Sequence, residues 1–168
     1  MAGRTPSQTV GPFFSEALRW KDGGKVRLAG EGESVVLVGR ITDGAGAPVA
    51  DALVETWQAF PEGPAVAEGN PRGFARVETG PDGMFRIETR MPPGKAPCLD
   101  VTLFARGLLR ALRTRVYFAP ESAVRSDPLL ASIASSPRVA TLVARREGAE
   151  YRWNVRLQGE GETVFFAA

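Results

Sequence analysis

The sequence has 168 residues, of which 43% are hydrophobic and 24% are charged, as in an ordinary soluble domain. It contains no histidine and one cysteine, which excludes a Ser-His-Asp triad, a His-ligated metal site and an internal disulfide bond. The net charge is only +2 and the arginines are dispersed, so we predict no binding to nucleic acid. The chain has no apolar run of membrane-spanning length and no signal-peptide pattern, so we expect a cytoplasmic protein.

Short segments with alternating or continuous apolar residues follow one another along the chain and predict strands. In chain order, these segments cover residues 34–41, 52–59, 73–79, 84–91, 99–106, 109–118, 139–145, 151–158 and 163–166. The stretch 120–136 has little periodicity and predicts a loop with one short helix. We therefore predict an all-β fold, a two-sheet β-sandwich of about eight strands over residues 33–168. Residues 1–32 are predicted to form an N-terminal arm and a lead-in segment.

The turns between these segments are marked by glycine and proline, of which the chain has 19 and 13. The sequence GPDG at 80–83 is the strongest turn signal, and we interpret it as a hairpin joining the strands on either side. Residues 60–71 are rich in Pro, Gly and Ala and predict a loop.

The residues alone give few candidates for chemistry. Glu160 and Glu162 could act as an acid–base pair or hold a hard cation, but a Gly-rich turn also explains them. Arg113 and Arg115 share one face of a predicted strand and could bind a carboxylate, although arginines are common on exposed strand faces. These features indicate a β-sandwich binding or structural module.

Several longer segments carry a resemblance to a known family. They are TPSQTVGPFF at 5–14, GRITD at 39–43, VETWQA at 54–59, LFARG at 103–107, TRVYF at 114–118 and QGEGETVFF at 158–166. These segments resemble the intradiol aromatic-ring dioxygenases, and in particular the non-catalytic alpha chain of members built from two kinds of chain. The resemblance runs from about Thr5 to Phe166, although the loop at 60–71 and the stretch 91–97 look short for the family.

The resemblance implies a two-sheet β-sandwich and a part in cleaving protocatechuate with O2 to 3-carboxy-cis,cis-muconate. In this family the cofactor is Fe(III), held by two tyrosines and two histidines of a catalytic beta chain. Here Cys98, Leu99 and Asp100 stand where a catalytic chain has a His-x-His pair, and Tyr117 and Tyr151 alternate with apolar residues typical of a core. We therefore expect this chain to contribute no metal ligand and no catalytic residue, and to bind no iron.

The resemblance also implies that the chain lines the substrate pocket of its beta partner through Thr9, Gly11, Pro12 and Arg106. Gly11-Pro12 would bring extended backbone close to the aromatic ring, and Arg106 would attract the substrate carboxylate. Arg106 could instead form an interface salt bridge or face solvent. We expect residues 5–14 to be an extended arm packed on the partner, with Phe13 where an alpha chain can carry tyrosine.

Two other functions stay open from the sequence. One is a stand-alone β-sandwich interaction module without enzymatic activity. The other is an intradiol enzyme that acts without a partner, which the absence of histidine nearly excludes.

Overall fold

The computed structural model describes residues 6, 8–11, 13–19, 21–26, 32–58, 73–125, 127–133 and 136–167. Their nine strands are β1 (Ser34–Thr42), β2 (Leu53–Trp57), β3 (Phe74–Glu78), β4 (Met84–Arg90), β5 (Cys98–Phe104), β6 (Leu112–Tyr117), β7 (Arg145–Glu147), β8 (Glu150–Arg152) and β9 (Val155–Arg156). The short helices are α1 (Phe14–Leu18), α2 (Glu121–Val124), a 3-10 helix (Pro128–Ser132) and α3 (Ser136–Ala140). None of these helices is long and apolar enough to cross a membrane.

The strands form two sheets. The first has the order β4-β1-β8-β7, with β9 paired to the far end of β1, and the second has the order β3-β2-β5-β6. β1 runs antiparallel to β4 but parallel to β8 and β9. Every pairing in the second sheet is antiparallel. The predicted all-β, two-sheet sandwich is confirmed.

The hydrophobic core lies between the sheets and follows from the period of two along each strand. In β5, Leu99, Val101 and Leu103 are buried, while the side chains between them face outward. A second, smaller apolar cluster lies where the loops after β6 pack on that strand; its buried members are Tyr117, Ala119, Val124, Leu130, Val139, Leu142 and Val164. Tyr117 and Tyr151 are both buried, as the sequence predicted.

The turn at 80–83 forms, but the hairpin interpretation was wrong. The N–H of Gly83 donates to the carbonyl of Gly80 at 2.8 Å, and Gly83 has a φ of 75°. However, β3 belongs to the second sheet and β4 to the first, so the turn carries the chain across the sandwich. A Cβ on Gly83 would lie 2.6 Å from the carbonyl oxygen of Ile41, so glycine is required where the turn packs against β1. The alternation of apolar residues predicts where a strand lies in the sequence, but it does not predict which other strands pair with it.

The predicted strand at 139–145 was also wrong over most of its length. Residues up to Ala140 are helical, and a strand begins only at Arg145. Val139 and Leu142 are three residues apart and both buried, which fits a helical turn better than an extended strand. At the C-terminal end, the predicted strand 163–166 is reduced to a bridge between Phe166 and Arg113.

The segment at 151–158 divides into β8 and β9, and its side chains alternate in burial as far as Val155. Tyr151, Trp153 and Val155 are buried, whereas the residues between them are more exposed. The break between the two strands falls where the amide oxygen of the Asn154 side chain accepts a hydrogen bond from the backbone N–H of Arg40.

The lead-in segment that follows the predicted arm contacts the domain's own sandwich. The chain is helical from Phe14 to Leu18, and Arg19 Nη1 lies 2.5 Å from Oε1 of Glu78, the last residue of β3. Further along, the carbonyls of Gly23 and Gly24 accept hydrogen bonds from Arg76 and Glu88. Residues 23–26 thus join the edge of β3 to the edge of β4.

Candidate functional site

Arg106 was predicted to end a strand over residues 99–106, but it lies two residues beyond the end of β5, at the start of a turn. β5 ends at Phe104, Ala105 is buried, and Gly107 adopts a φ of 88° that turns the chain away from the sheet. The Arg106 side chain is 59% exposed, and its Nη2 lies 2.8 Å from Oδ2 of Asp51. The guanidinium is therefore at the surface, with an acidic residue of the same chain beside it.

Thr9 is brought next to Arg106 by one hydrogen bond. The backbone N–H of Gly107 donates to Thr9 Oγ1 at 2.8 Å. Beside this contact is a hollow of about 150 Å³, lined by Gln8 and Val10 and by residues 104–105 and 108–111. The N-terminal signature and the LFARG segment, which are far apart in sequence, thus meet beyond the C-terminal end of β5.

Of the other two predicted pocket residues, Gly11 and Pro12, the structure describes only Gly11. Gly11 is exposed, and a Cβ added there would meet nothing within 4 Å, so its own domain does not require glycine. Pro12 lies outside the described residues. The Phe13 side chain is 75% exposed, and Leu109, close to Arg106 in sequence, is 60% exposed.

A network of ionisable side chains lies on the outer face of β5 and β6 and includes Cys98 and Asp100, two of the residues that the resemblance matches to a His-x-His pair. Asp100 faces Arg115 across the two strands, and Arg115 Nε lies 2.6 Å from Asp100 Oδ1. Nη1 of the same guanidinium lies 3.1 Å from Oδ2 of Asp127. That oxygen also accepts a 2.8 Å hydrogen bond from the Tyr117 hydroxyl. Cys98 is the cross-strand neighbour of Tyr117.

The charges in this network are fixed by the surroundings. Burial by itself would raise the pKa of Asp127, but the N–H of Leu129, the Tyr117 hydroxyl and the Arg115 guanidinium together lower it. Burial is the main cause that raises the pKa of Tyr117. Burial likewise raises the pKa of Cys98, although Arg115 opposes this shift. At neutral pH the network therefore holds an ionised carboxylate, a protonated phenol and a protonated thiol.

These side chains do not fit a ferric ion. Both carboxylates are bound by a guanidinium that does not lose its proton, and its fixed positive charge would repel a metal cation. The phenol is held in its protonated form, which is not the anionic ligand that ferric iron prefers. Within the described part of the chain, no three Cys, Asp or Glu side chains lie close enough together to hold a metal ion.

A cleft of about 470 Å³ lies over the same sheet face, between Trp57 on β2 and Phe166 near the C-terminus. Trp57 is 45% exposed because it faces Asp100 on the outward side of the sheet. Arg113 also lines the cleft, and among the described residues it forms no ion pair. Arg115 does bind carboxylates, as its residue type suggested, but they belong to its own chain.

The glutamate pair considered as a candidate site has a structural explanation. Gly159 and Gly161 have φ values of 92° and 73°, and the N–H of Glu162 donates to the carbonyl of Gly159. These are the features of a tight turn, and Glu160 is exposed in it. Asp51 and Asp127 were not identified from the sequence. The partner of Asp51 depends on the strand register, and Asp127 is brought to Arg115 by a loop.

Relatives of known name align with almost the whole chain, although no protein-family model matches it. The protocatechuate 3,4-dioxygenase alpha chain of Burkholderia cepacia is 40% identical over 191 residues, covering 97% of this chain and 96% of the relative. The chain of the same name from Pseudomonas putida is 35% identical and covers 96% and 95%. Because the aligned span exceeds 168 residues, these relatives contain residues that this chain lacks, as expected for a short member.

A solved structure shows the same fold. The intradiol ring-cleavage dioxygenase from Tetranychus urticae superposes with a TM-score of 0.57 at 14% identity, covering 79% of this chain and 84% of that one. This likeness shows that the chain has the same β-sandwich fold as that dioxygenase. The family is shown by the two alpha-chain relatives, which align with nearly the whole chain. The chain belongs to the family of protocatechuate 3,4-dioxygenase alpha chains.

Proposed function

We propose that this chain is the non-catalytic alpha subunit of a ferric intradiol dioxygenase and lines the substrate pocket of an iron-bearing beta chain. The proposed complex joins protocatechuate with O2 and gives 3-carboxy-cis,cis-muconate. The names and coverage of the two alpha-chain relatives support this assignment. The complex would be a cytoplasmic hetero-oligomer of alpha and beta chains.

The observation that carries the non-catalytic role is the Arg115 network. Its guanidinium binds Asp127 and also Asp100, which the resemblance matches to a metal-binding histidine of a catalytic chain. The Arg115 guanidinium, which is always positively charged, is thus the counter-ion of both carboxylates, and no metal cation is needed to balance their charge. The iron of the complex, which would bind the catechol oxygens and activate the ring toward O2, then belongs to the beta chain.

The residues around Arg106 support the pocket-lining role. The exposed guanidinium can pair with the carboxylate of protocatechuate, since its planar donor pattern matches that group. The bond between Thr9 and Gly107 keeps the N-terminal signature beside Arg106. The open space next to Gly11 would accommodate substrate or partner backbone, and Pro12 would restrict the backbone that follows.

Co-expression with a catalytic beta chain that carries two histidine and two tyrosine ligands tests this proposal. We expect a stable complex with about one iron per alpha–beta pair, and oxygen uptake on protocatechuate. The chain purified alone should be colourless and bind no iron stoichiometrically. About one iron per isolated chain with a visible ferric-tyrosinate band would overturn the proposal. Failure to form any complex would instead favour the stand-alone interaction module.

A further inference from the structure

Asp51 lies two residues before β2 and pairs with Arg106, which lies two residues after β5. In the antiparallel register of β2 and β5, Leu53 faces Phe104, so two residues beyond this pair Asp51 comes to face Arg106. The two side chains meet at 2.8 Å between Oδ2 and Nη2. The pair is asymmetric, since the Asp51 side chain is 30% exposed and the Arg106 side chain 59%.

The turn that carries Asp51 is fixed by the buried Thr79. The N–H of Ala52 donates to Thr79 Oγ1 at 2.9 Å, and this hydroxyl donates to the carbonyl of Val49 at 2.7 Å. The N–H of Asp51 donates to the Thr79 carbonyl at 3.3 Å. Asp51 itself has a φ of 57°, a backbone conformation that residues other than glycine, asparagine and aspartate rarely adopt. The carboxylate is therefore the anchored member of the pair.

We infer that Asp51 is a positioning residue that orients Arg106 for an anionic substrate group, an inference that rests on the proposed function of Arg106. Asp51 engages Nη2 and leaves the other N–H donors of the guanidinium available for a second carboxylate. A long arginine side chain loses rotamer freedom when it is ordered by a ligand. Because Asp51 orders Arg106 beforehand, the substrate does not have to supply that ordering when it binds.

Variants at position 51 in the alpha–beta complex test this role. Asp51→Gly removes the carboxylate without backbone strain, since glycine readily adopts a φ of 57°. Asp51→Asn keeps an oxygen that can accept from Nη2. Asp22→Gly is the matched control, because Asp22 has a φ of 60°, is exposed and forms no ion pair among the described residues.

We expect Asp51→Gly to raise the KM for protocatechuate by about three- to tenfold, the factor that corresponds to the entropy lost when one long side chain is ordered on binding. The KM for catechol, which lacks the carboxylate, should change by less than about twofold. Asp51→Asn should restore most of the loss, and Asp22→Gly should behave as the native complex. In an Arg106→Ala background, Asp51→Gly should have no further effect. A crystal structure of the Asp51→Gly complex should show Arg106 spread over several rotamers.

Two failures can be told apart. If Arg106→Ala alone leaves the preference for protocatechuate over catechol unchanged, Arg106 does not bind the substrate carboxylate, and the proposed function of Arg106 fails together with the inference. If Arg106→Ala narrows the preference but Asp51→Gly leaves both KM and the Arg106 conformation native, only the role of Asp51 is overturned. A lower KM in Asp51→Gly would also overturn it, because Asp51 would then compete with the substrate for Arg106.

Discussion

The hydroxyl of Thr9 accepts a 2.8 Å hydrogen bond from the backbone N–H of Gly107, 98 residues further along the chain. Gly107 has a φ of 88°, and the turn it forms directs this N–H toward the N-terminal segment. One side-chain acceptor, the Thr9 hydroxyl, thus links the two segments that define the proposed pocket wall.

Replacing Thr9 by valine keeps the size and branching of the side chain but removes the acceptor. We expect Thr9→Val to lower kcat/KM of the complex for protocatechuate by about two- to tenfold, the range for one lost hydrogen bond. The melting temperature should change little, because the bond is exposed. Thr9→Ser, which retains the hydroxyl, is the control. Steady-state kinetics that are equal for the valine variant and the native complex would show that other contacts hold the segment.

Removing the Arg106 guanidinium should affect substrates according to their charge. A charge-assisted contact contributes on the order of 1.5–3 kcal/mol when desolvated, so Arg106→Ala should raise the KM for protocatechuate by about tenfold or more. Catechol should be affected much less. Arg145→Ala serves as the control, because Arg145 lies on β7 of the other sheet, is exposed and forms no ion pair among the described residues. Equal losses on both substrates would indicate that Arg106 holds the interface together.

The Arg115 network should contribute to stability without contributing to the reaction. Arg115 and Asp127 have side chains that are 28% and 17% exposed, so Arg115→Met leaves a partly buried carboxylate without its counter-ion. We expect the free energy of unfolding in urea to fall by about 1–3 kcal/mol, between the values for exposed and buried pairs. Arg125→Met, which breaks the more exposed pair with Glu121, should cost less than about 0.5 kcal/mol. An equal loss in both variants would contradict the assigned network.

The same network predicts how stability depends on pH. The folded pKa of Asp127 lies below its ordinary value, so its stabilising contribution is present above about pH 4, the unfolded pKa, and is lost as the pH falls through the folded pKa. Asp127→Asn keeps an oxygen for the N–H of Leu129 but cannot ionise. We expect the variant to be less stable at pH 7 and the difference to shrink toward pH 3. Urea unfolding across this range would contradict the prediction if the difference stayed constant.

Strand positions could be predicted from the sequence where burial alternates cleanly. The segment from Met84 has this pattern, while the run from Ser34 is nearly continuously apolar, and the two form strands that pair along seven residues. The sheet to which each strand belongs could not be predicted, since the turn at 80–83 looks the same whether it joins neighbours or crosses the sandwich. The helix at Ser136–Ala140 was missed because a single helical turn with two apolar residues can also be interpreted as a short strand.

The site was predictable only in part, for a similar reason. Thr9 and Arg106 were identified through motifs, and their proximity depends on one bond from the Gly107 backbone that no side-chain pattern encodes. Asp51 stands just before a predicted strand, but its pairing with Arg106 requires the register of β2 against β5. Asp127 comes from a loop without periodicity, so its contact with Arg115 depends entirely on tertiary packing.

The parallel pairing of β1 sets an order in which the molecule can be completed during synthesis. β2, β3, β5 and β6 lie between residues 53 and 117, and their strand ladders join them only to one another. Two single bridges, from β6 to Val143 and to Phe166, are added later, so this sheet can form while the C-terminal residues are still on the ribosome. β1 pairs on one side with β4, but its other side waits for residues 150–156. Until then a nascent chain presents an apolar strand edge of the kind that chaperones bind and that aggregates other chains. A chain that stops before Glu150 would keep that edge permanently.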